Sequence, residues 1–431
     1  MKYFSLAVVI LTIVSLYSGL ILSISSGKYD NGILSTALLN FSKFPQQVAD
    51  VIQSPELVNK PITYLPKDQA FRPINQLKEN LYGLTSFWNE SENVWEIKLL
   101  NLKNDSILHT WKYNEINFVK YKNNYTNCPP VHSLLLKNRE LIVNLSSSPN
   151  FCRLDANSNV VWCNNELEFH HSTNLDPDGN LWVCGNDLMK THTNLCSSTS
   201  VKNLNNEVLS IGENYMVKIN VTTGEIIRKI GVAQVLLDNG FKSIVYGGQL
   251  EDPIHLNDIQ PVLEDNEYWK KGDLFVSTRH RSIVFLYRPA TNEVIKLIHG
   301  PFMYQHDVDI ISDNEIAIFN NNYIGLKGEK DIAINQSIDS LNVSELIIYN
   351  FETDKFTSLL TEKITQENIK TTVQGLSEVL SNEDVFIESQ QQGTYYIINK
   401  KEVVLKKVFY TDDSIHIQMP FWMRIYEELP K

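Results

Sequence analysis

Two histidines stand at matching distances from the motifs that follow them. His171 precedes Asp178 by seven residues and Leu181 by ten, and His306 precedes Asp313 by seven and Ile316 by ten. A third, His255, stands 18 residues before Asp273 and joins the set when Val262 to Lys271 is read as an inserted loop. Asn257 follows His255 by two residues, which on an extended strand places both side chains on one face. Arg279 ends the run Leu274 to Thr278. Imidazoles, an amide and a planar, permanently charged guanidinium make a receptor for a tetrahedral oxyanion such as sulfate or phosphate. The same set argues against a metal, because Arg279 would repel a divalent cation. His170 is one residue off register, which turns a strand side chain to the other face, so it is the weaker of the adjacent pair. His132, nine residues before Leu141, is also one residue short.

Such residues converge only if equivalent strands arrange them around one axis. Beyond residue 83 the chain is a succession of short apolar or alternating runs bounded by Asn, Asp, Gly or Lys, with no sustained helical period. These runs recur six times between Leu84 and Tyr410, an average of roughly 55 residues per repeat, which suits propeller blades with long loops. The fold expected is all-β, a six-bladed β-propeller, with Phe421 to Tyr426 returning to complete a blade at the ring closure. In a propeller the residues that begin the innermost strand face the central channel, so the three histidines would meet there.

The totals narrow the function. With 431 residues, a formal charge of −12 and only eight arginines, the chain cannot cover a nucleic-acid backbone. Three of those arginines, Arg279, Arg281 and Arg288, fall within ten residues. From Tyr3 to Ile24 there are 22 positions without a charge, long enough for a membrane-spanning helix, and no small-residue cleavage pattern follows. The expectation is a signal-anchor at 1–27, a short helix (Gln46 to Glu56) and extended linker over 28–82, and a propeller over 83–431. The bulk would then be membrane-anchored on the periplasmic or otherwise extracytoplasmic side. Export makes disulfides plausible. Cys152 and Cys163 flank a turn at facing positions, and Cys184 and Cys196 close a Gly/Asn/Ser-rich loop.

At this point the residues resemble a known family. The segments His170-His171-Ser172-Thr173-Asn174-Leu175-Asp176-Pro177-Asp178-Gly179-Asn180-Leu181-Trp182-Val183, Ile254-His255-Leu256-Asn257-Asp258, Leu274-Phe275-Val276-Ser277-Thr278-Arg279 and Gln305-His306-Asp307-Val308, followed by Ile318-Phe319-Asn320-Asn321, look like the arylsulfotransferases that use no nucleotide sulfate donor. The order and approximate spacing match from Leu84 to Tyr426, and the anchor and linker resemble membrane-tethered members. The resemblance implies transfer of a sulfuryl group from a phenolic sulfate ester to a phenol by a ping-pong route, with no cofactor. It makes His306 the nucleophile, carried as a sulfohistidine. It makes His255 and Asn257 the pair that holds sulfuryl oxygens, Arg279 their neutralising charge, and His171 the first histidine of the constellation.

Physical chemistry supplies a reason for each role. His306 must be neutral to attack sulfur, and a cationic neighbour disfavours the imidazolium. The leaving phenolate needs a proton from His255 or His171. Aryl groups would stack at the channel mouth, on Phe302 and Tyr304, if those rings are not simply blade packing. Two other classes stay open: a non-catalytic propeller that binds a ligand or partner, whose binding would survive loss of Arg279 or His306, and a histidine-ligated metal oxygenase, which stoichiometric iron would reveal.

Overall fold

The computed structural model describes residues 64–66, 71–92, 94–113, 128–146, 148–187, 199–202, 208–247, 252–323, 343–411 and 416–430, all within one compact unit, Tyr64–Lys431. The expected signal-anchor, the helix read at Gln46 to Glu56 and Cys196 lie outside the described residues. Among those described, no helix is long and apolar enough to cross a membrane.

Six antiparallel sheets follow one another along the chain, and the innermost strands of neighbouring sheets touch. Those innermost strands are Arg424–Tyr426, Pro130–Leu135, Glu168–Leu175, Leu256–Pro261, Asp307–Ile310 and Leu376–Val379, of blades one to six. The six-bladed propeller is therefore present. Arg424–Tyr426 pairs with Tyr82–Leu84, so the returning C-terminal segment supplies the innermost strand of blade one, as its sequence position suggests. At the other end of the chain, Ile74–Asn75 adds a fifth, outermost strand to blade six, and Tyr64–Pro66 pairs with His416–Gln418. The last part of the segment read as a linker thus belongs to the propeller body.

The apolar runs have a simple cause. A blade is covered on both faces by its neighbours, so its central strands need apolar side chains at successive positions instead of alternating ones. In Leu141–Leu145 all five residues are buried; Leu141 and Val143 pack toward blade one while Ile142 packs toward blade three. In Leu181–Asn186, Leu181 and Val183 face blade two and Trp182 and Cys184 face blade four. The core is six such wedges, one between each pair of blades. The turns follow from their sequences too: Asp176 Oδ1 accepts from the backbone of Asp178 and Asn180 at 2.9 and 2.8 Å, and Asp155 Oδ1 from Asn157 and Asn159, both at 2.8 Å.

Three local features differ from the sequence reading. Two helices, Val232–Asp238 and Lys242–Tyr246, pack Val232, Ala233, Val235, Leu236 and Val245 between blades three and four. The first lacks a local cap because Glu213, far back in the chain, accepts from the Ala233 and Gln234 N–H groups at 2.8 and 3.3 Å. The loop Val262 to Lys271 joins the end of Leu256–Pro261 to Leu274–Thr278, so it lies at the opposite end of the inner strand from His255. Among the cysteines, Cys152 and Cys163 are directly opposed on adjacent strands and form the expected disulfide. Cys196, the other end of the loop that Cys184 opens, lies outside the described residues; Cys184 is a buried free thiol beside Ser172, whose Oγ lies 3.7 Å away, and burial, followed by the Asp258 charge, pushes its pKa up.

Candidate active site

Within the first half of each inner strand or just before it, one non-glycine residue takes the left-handed conformation: Trp422 (φ 55°), His132 (43°), His171 (54°), His255 (53°), Tyr304 (55°) and Gln374 (55°). Such a backbone is rare outside glycine and costs of order 1–3 kcal/mol per residue where the surroundings enforce it. Its recurrence, once per blade, marks the place where the chain turns into the channel. The same positions carry bulges: pairing slips between Val131 and Leu134, between His170 and Thr173, and between Leu256 and Asp258.

These bulges refine the expected register. Counted from the last pair of the first hairpin, His171 and His306 are each four residues before it, at Leu175↔Leu181 and Ile310↔Ile316. In blade four the residue at that count before Pro261↔Leu274 is Asn257, and His255 is two residues earlier. By backbone conformation the counterpart of His171 and His255 in blade five is Tyr304, not His306. The three histidines meet all the same. The rings of His171 and His306 are 5.8 Å apart between centroids, and those of His171 and His255 are 5.6 Å apart.

His306 is 1% exposed and held at both nitrogens. Asn321 Nδ2 donates to Thr371 O and Gln374 O at 2.9 and 2.6 Å, which turns its Oδ1 toward His306 Nδ1 at 2.6 Å. An amide oxygen only accepts, so Nδ1 carries the proton and Nε2 presents the lone pair. The backbone N–H of Gln374 donates to that lone pair at 3.1 Å. Burial, then the Arg279 charge, pushes the His306 pKa well below the usual histidine value despite the Asn321 bond.

His171 lies beside His170, with their Nδ1 atoms 2.7 Å apart sharing a proton. The His171 pKa is pushed well below the ordinary value by burial and then by the positive charge around it, and His170 comes down to about 4, mainly through burial. Beneath them is Trp422, whose ring meets His132, His171 and His306 edge to face at 5.5, 5.5 and 6.2 Å. His132 does reach the channel, through its bulge, and its Nδ1 accepts from Arg424 Nη2 at 3.2 Å.

On the other side stands Arg279, 7% exposed, with its guanidinium 4.8 Å from the Tyr304 ring and Nη2 donating to Thr372 O at 3.2 Å. Arg281 is turned away, donating to Val245 O and Gly247 O behind the short helix Lys242–Tyr246. Asn257 is fully buried and its Nδ2 donates to Gln305 O at 2.8 Å, which spends one of its two N–H bonds. Among the described residues, Asn257 Oδ1 and Arg279 Nε are buried without a hydrogen-bond partner, polar capacity suited to a polar ligand.

The His255 side chain is 30% exposed, and its Nδ1 lies 2.6 Å from Asp252 Oδ2. Candidate metal-ligand atoms of Asp252, His255 and His280 lie within 4.8 Å of one another. The donor chemistry does not suit a metal, however. His280 Nδ1 donates to Asp252 O at 2.7 Å and its Nε2, the only lone pair left on the ring, faces Arg279 Nη1 at 3.1 Å. That lone pair is occupied by a cation's N–H.

Of the residues singled out in the sequence, His171, His170, His255, Asn257, Arg279, His306 and Tyr304 are brought together. Phe302 is not. Its ring is 1% exposed in the wedge between blades four and five, against Phe356, so the expectation of an aryl-stacking role there is corrected to core packing. Sequence reasoning assigned no role to Asn321, Gln374, Asp252 or Trp422. Asn321 sits inside a segment already quoted, but nothing in the spacing links it to His306.

Several solved structures are similar in fold. A protein of unknown function from Bacteroides caccae aligns with a TM-score of 0.50 at 12% identity, covering 81% of this chain and 100% of that one. The Cps50 (Swd1) β-propeller domain of Myceliophteria thermophila gives 0.43 at 6% identity, covering 83% and 99%, and virginiamycin B lyase from Staphylococcus aureus 0.36 at 9%, covering 66% and 72%. The likeness to the Bacteroides protein concerns the fold alone, and the two weaker ones carry no argument. No curated protein matches the chain. The family description "Arylsulfotransferase (ASST)" does match, over residues 132–408. That span runs from His132 to the outer strand of blade six and contains every histidine of the cluster, and on it the chain belongs to the arylsulfotransferase (ASST) family.

Proposed function

We propose that this protein moves a sulfuryl group from a phenolic sulfate ester to a phenolic acceptor, in two half-reactions through a sulfohistidine on His306. The observation that carries this reading is the state of His306 in a member of the ASST family: buried, neutral, with its proton fixed on Nδ1 by Asn321 and its Nε2 lone pair in a cluster that contains Arg279.

In the first half-reaction Nε2 forms a bond to sulfur while the bond from sulfur to the aryl oxygen breaks, and the electron pair leaves on that oxygen. The Gln374 N–H must release Nε2 for this to happen, and it is then free to donate to a sulfuryl oxygen. Arg279 and the remaining N–H of Asn257 supply fixed positive charge and a donor for the other sulfuryl oxygens. His255 protonates the departing phenolate. His255 is favoured over His171 because the Asp252 carboxylate lies 2.6 Å from its Nδ1, where it would stabilise the imidazolium that gives up the proton, whereas desolvation and the surrounding positive charge keep His171 neutral. In the second half-reaction the phenol loses its proton to His255, attacks the sulfohistidine, and restores neutral His306. Tyr304, with Tyr323 edge-on at 5.5 Å, offers the aryl face that Phe302 does not.

Steady-state rates measured with a nitrophenyl sulfate and a phenol at varied concentrations test the scheme. Parallel double-reciprocal lines are expected. Lines that intersect, or an absence of acceptor-dependent nitrophenol release from the folded protein, would count against it.

A further inference from the structure

Asp252 and His280 lie outside the set of groups that would touch the sulfuryl oxygens, yet both His255 and Arg279 lean on them. The Asp252 carboxylate accepts from His255 Nδ1 at 2.6 Å. Its backbone carbonyl accepts from His280 Nδ1 at 2.7 Å. A carbonyl oxygen only accepts and a guanidinium only donates, so His280 is the neutral tautomer with its proton on Nδ1, and its Nε2 takes the Arg279 Nη1–H bond at 3.1 Å. The His255 and His280 rings lie face to face at 4.4 Å, tilted by 31°. One residue therefore fixes the orientation of His255 through its side chain and that of Arg279 through its backbone and one intervening imidazole.

We propose that Asp252 and His280 are the positioning residues of this site: Asp252 turns His255 so that its Nε2 meets the leaving oxygen and stabilises the imidazolium that supplies the proton, and His280 holds the plane of Arg279. This rests on the sulfuryl-transfer reading. Burial pushes the Asp252 carboxyl up, but the His255 bond, with the histidines around it, outweighs this and brings it down to about 2, so the carboxylate is ionised at working pH. Ionised Asp252 is the form that holds His255 by a charge-assisted bond, and the short distance between them fits that state.

The two roles differ in what they do to different donors, which makes them separable from damage to the fold. Phenyl sulfate leaves as a basic phenolate and needs the proton, whereas 4-nitrophenyl sulfate leaves as a weakly basic one and hardly does. Asp252→Asn and Asp252→Ala are expected to lower kcat/KM for phenyl sulfate, which reports the first half-reaction alone, by roughly 10²-fold while changing kcat/KM for 4-nitrophenyl sulfate only a few-fold. His280→Ala is expected to lower kcat for both donors alike, by about tenfold or more, and His280→Gln, whose amide oxygen can still accept from Arg279, to recover most of it. Equal losses for both donors in the Asp252 variants, or no recovery in His280→Gln, would overturn the assignment. Imidazole ¹⁵N NMR of the whole protein gives a readout independent of turnover. At a pH where its imidazole is neutral, His255 is expected to carry its proton on Nδ1 in the wild type and to lose that fixed tautomer in Asp252→Ala; an unchanged His255 spectrum contradicts the proposal. If the wild type transfers no sulfuryl group, the functional reading fails while the NMR comparison still decides the positioning claim.

Discussion

In the proposed reaction the chemistry concentrates on His306, and its protonation gives a prediction with a definite sign. A neutral imidazole is the attacking form, and the His306 pKa lies well below 6.5. The group therefore stays neutral above its lowered value and loses reactivity only as pH falls through it. Nitrophenol release in the first half-reaction, followed in a single turnover, is expected to be flat from about pH 8 down to about pH 6, whereas an ordinary histidine would lose about half its reactive form near 6.5. Arg279→Lys keeps the charge but replaces the planar donor set, and kcat is expected to fall by about 10²–10³-fold.

At the scale of elements, the inner strands carry the site because each has a left-handed residue within or just before its first half, and the turn at Gln374 and Gly375 shows how tightly this is built. Gly375 has φ 84°, and a Cβ there would stand 2.6 Å from Thr371 Cγ2, 2.8 Å from Phe319 Cε1 and 3.0 Å from Glu388 O. Gly375→Ala is expected to displace the Gln374 N–H from His306 and to destabilise the fold by about 1–3 kcal/mol, measured by denaturant unfolding. The disulfide between Cys152 and Cys163 closes a short hairpin in blade two, and the double Cys→Ser variant is expected to lose about 3 kcal/mol or less. Much of this level was legible in the sequence. Apolar runs gave the blades, turn residues gave the hairpins, and the equal spacing of His171 and His306 put both in one channel. What could not be read are the bulges. A one- or two-residue slip leaves the composition of a strand unchanged, yet it brings His132 into the channel and puts Asn257, not His255, at the count shared with His171 and His306. The partners Asn321 and Asp252 were illegible for a related reason: their contacts are made across turns whose geometry no spacing encodes. Helix Val232–Asp238 was missed because its cap, Glu213, is supplied from elsewhere in the chain.

The propeller unit is a closed ring, and closure is where its stability and its site meet. Trp422 precedes the returning inner strand and lies under three of the channel histidines, while Glu388 of blade six accepts from the Trp422 and Met423 N–H groups at 2.8 and 2.7 Å. Removing residues 421–431 is expected to lower the Tm sharply and to abolish turnover together. Ring closure also shapes the pH dependence. Burial raises Glu388 and Asp258 to about 7 and Glu378 to about 6. Folded values above the unfolded ones mean that the stability they contribute is complete below about pH 4 and is lost as pH rises through about 6 to 7. The buried histidines run the other way: their folded values lie below 6.5, so their contribution is present above 6.5 and lost as pH falls. The two contributions therefore oppose one another between about pH 4 and pH 7, and Glu388→Gln, which removes one of the falling ones, is expected to make the unfolding free energy rise more, or fall less, across that range than in the wild type. Several carboxylates are buried among the described residues, Asp258, Asp307 and Glu388 among them, whereas Arg279 is a buried cation held beside the channel histidines, where an anionic ester would bind.

The central claim is a covalent one, and peptide mass analysis tests it most directly. The protein incubated with 4-nitrophenyl sulfate and no acceptor is expected to carry one sulfuryl group on the peptide containing His306, to lose it when a phenol is added, and to acquire none in His306→Asn. A folded wild-type protein that releases nitrophenol to a phenol with no label on that peptide, or with the label on another residue, would contradict the account.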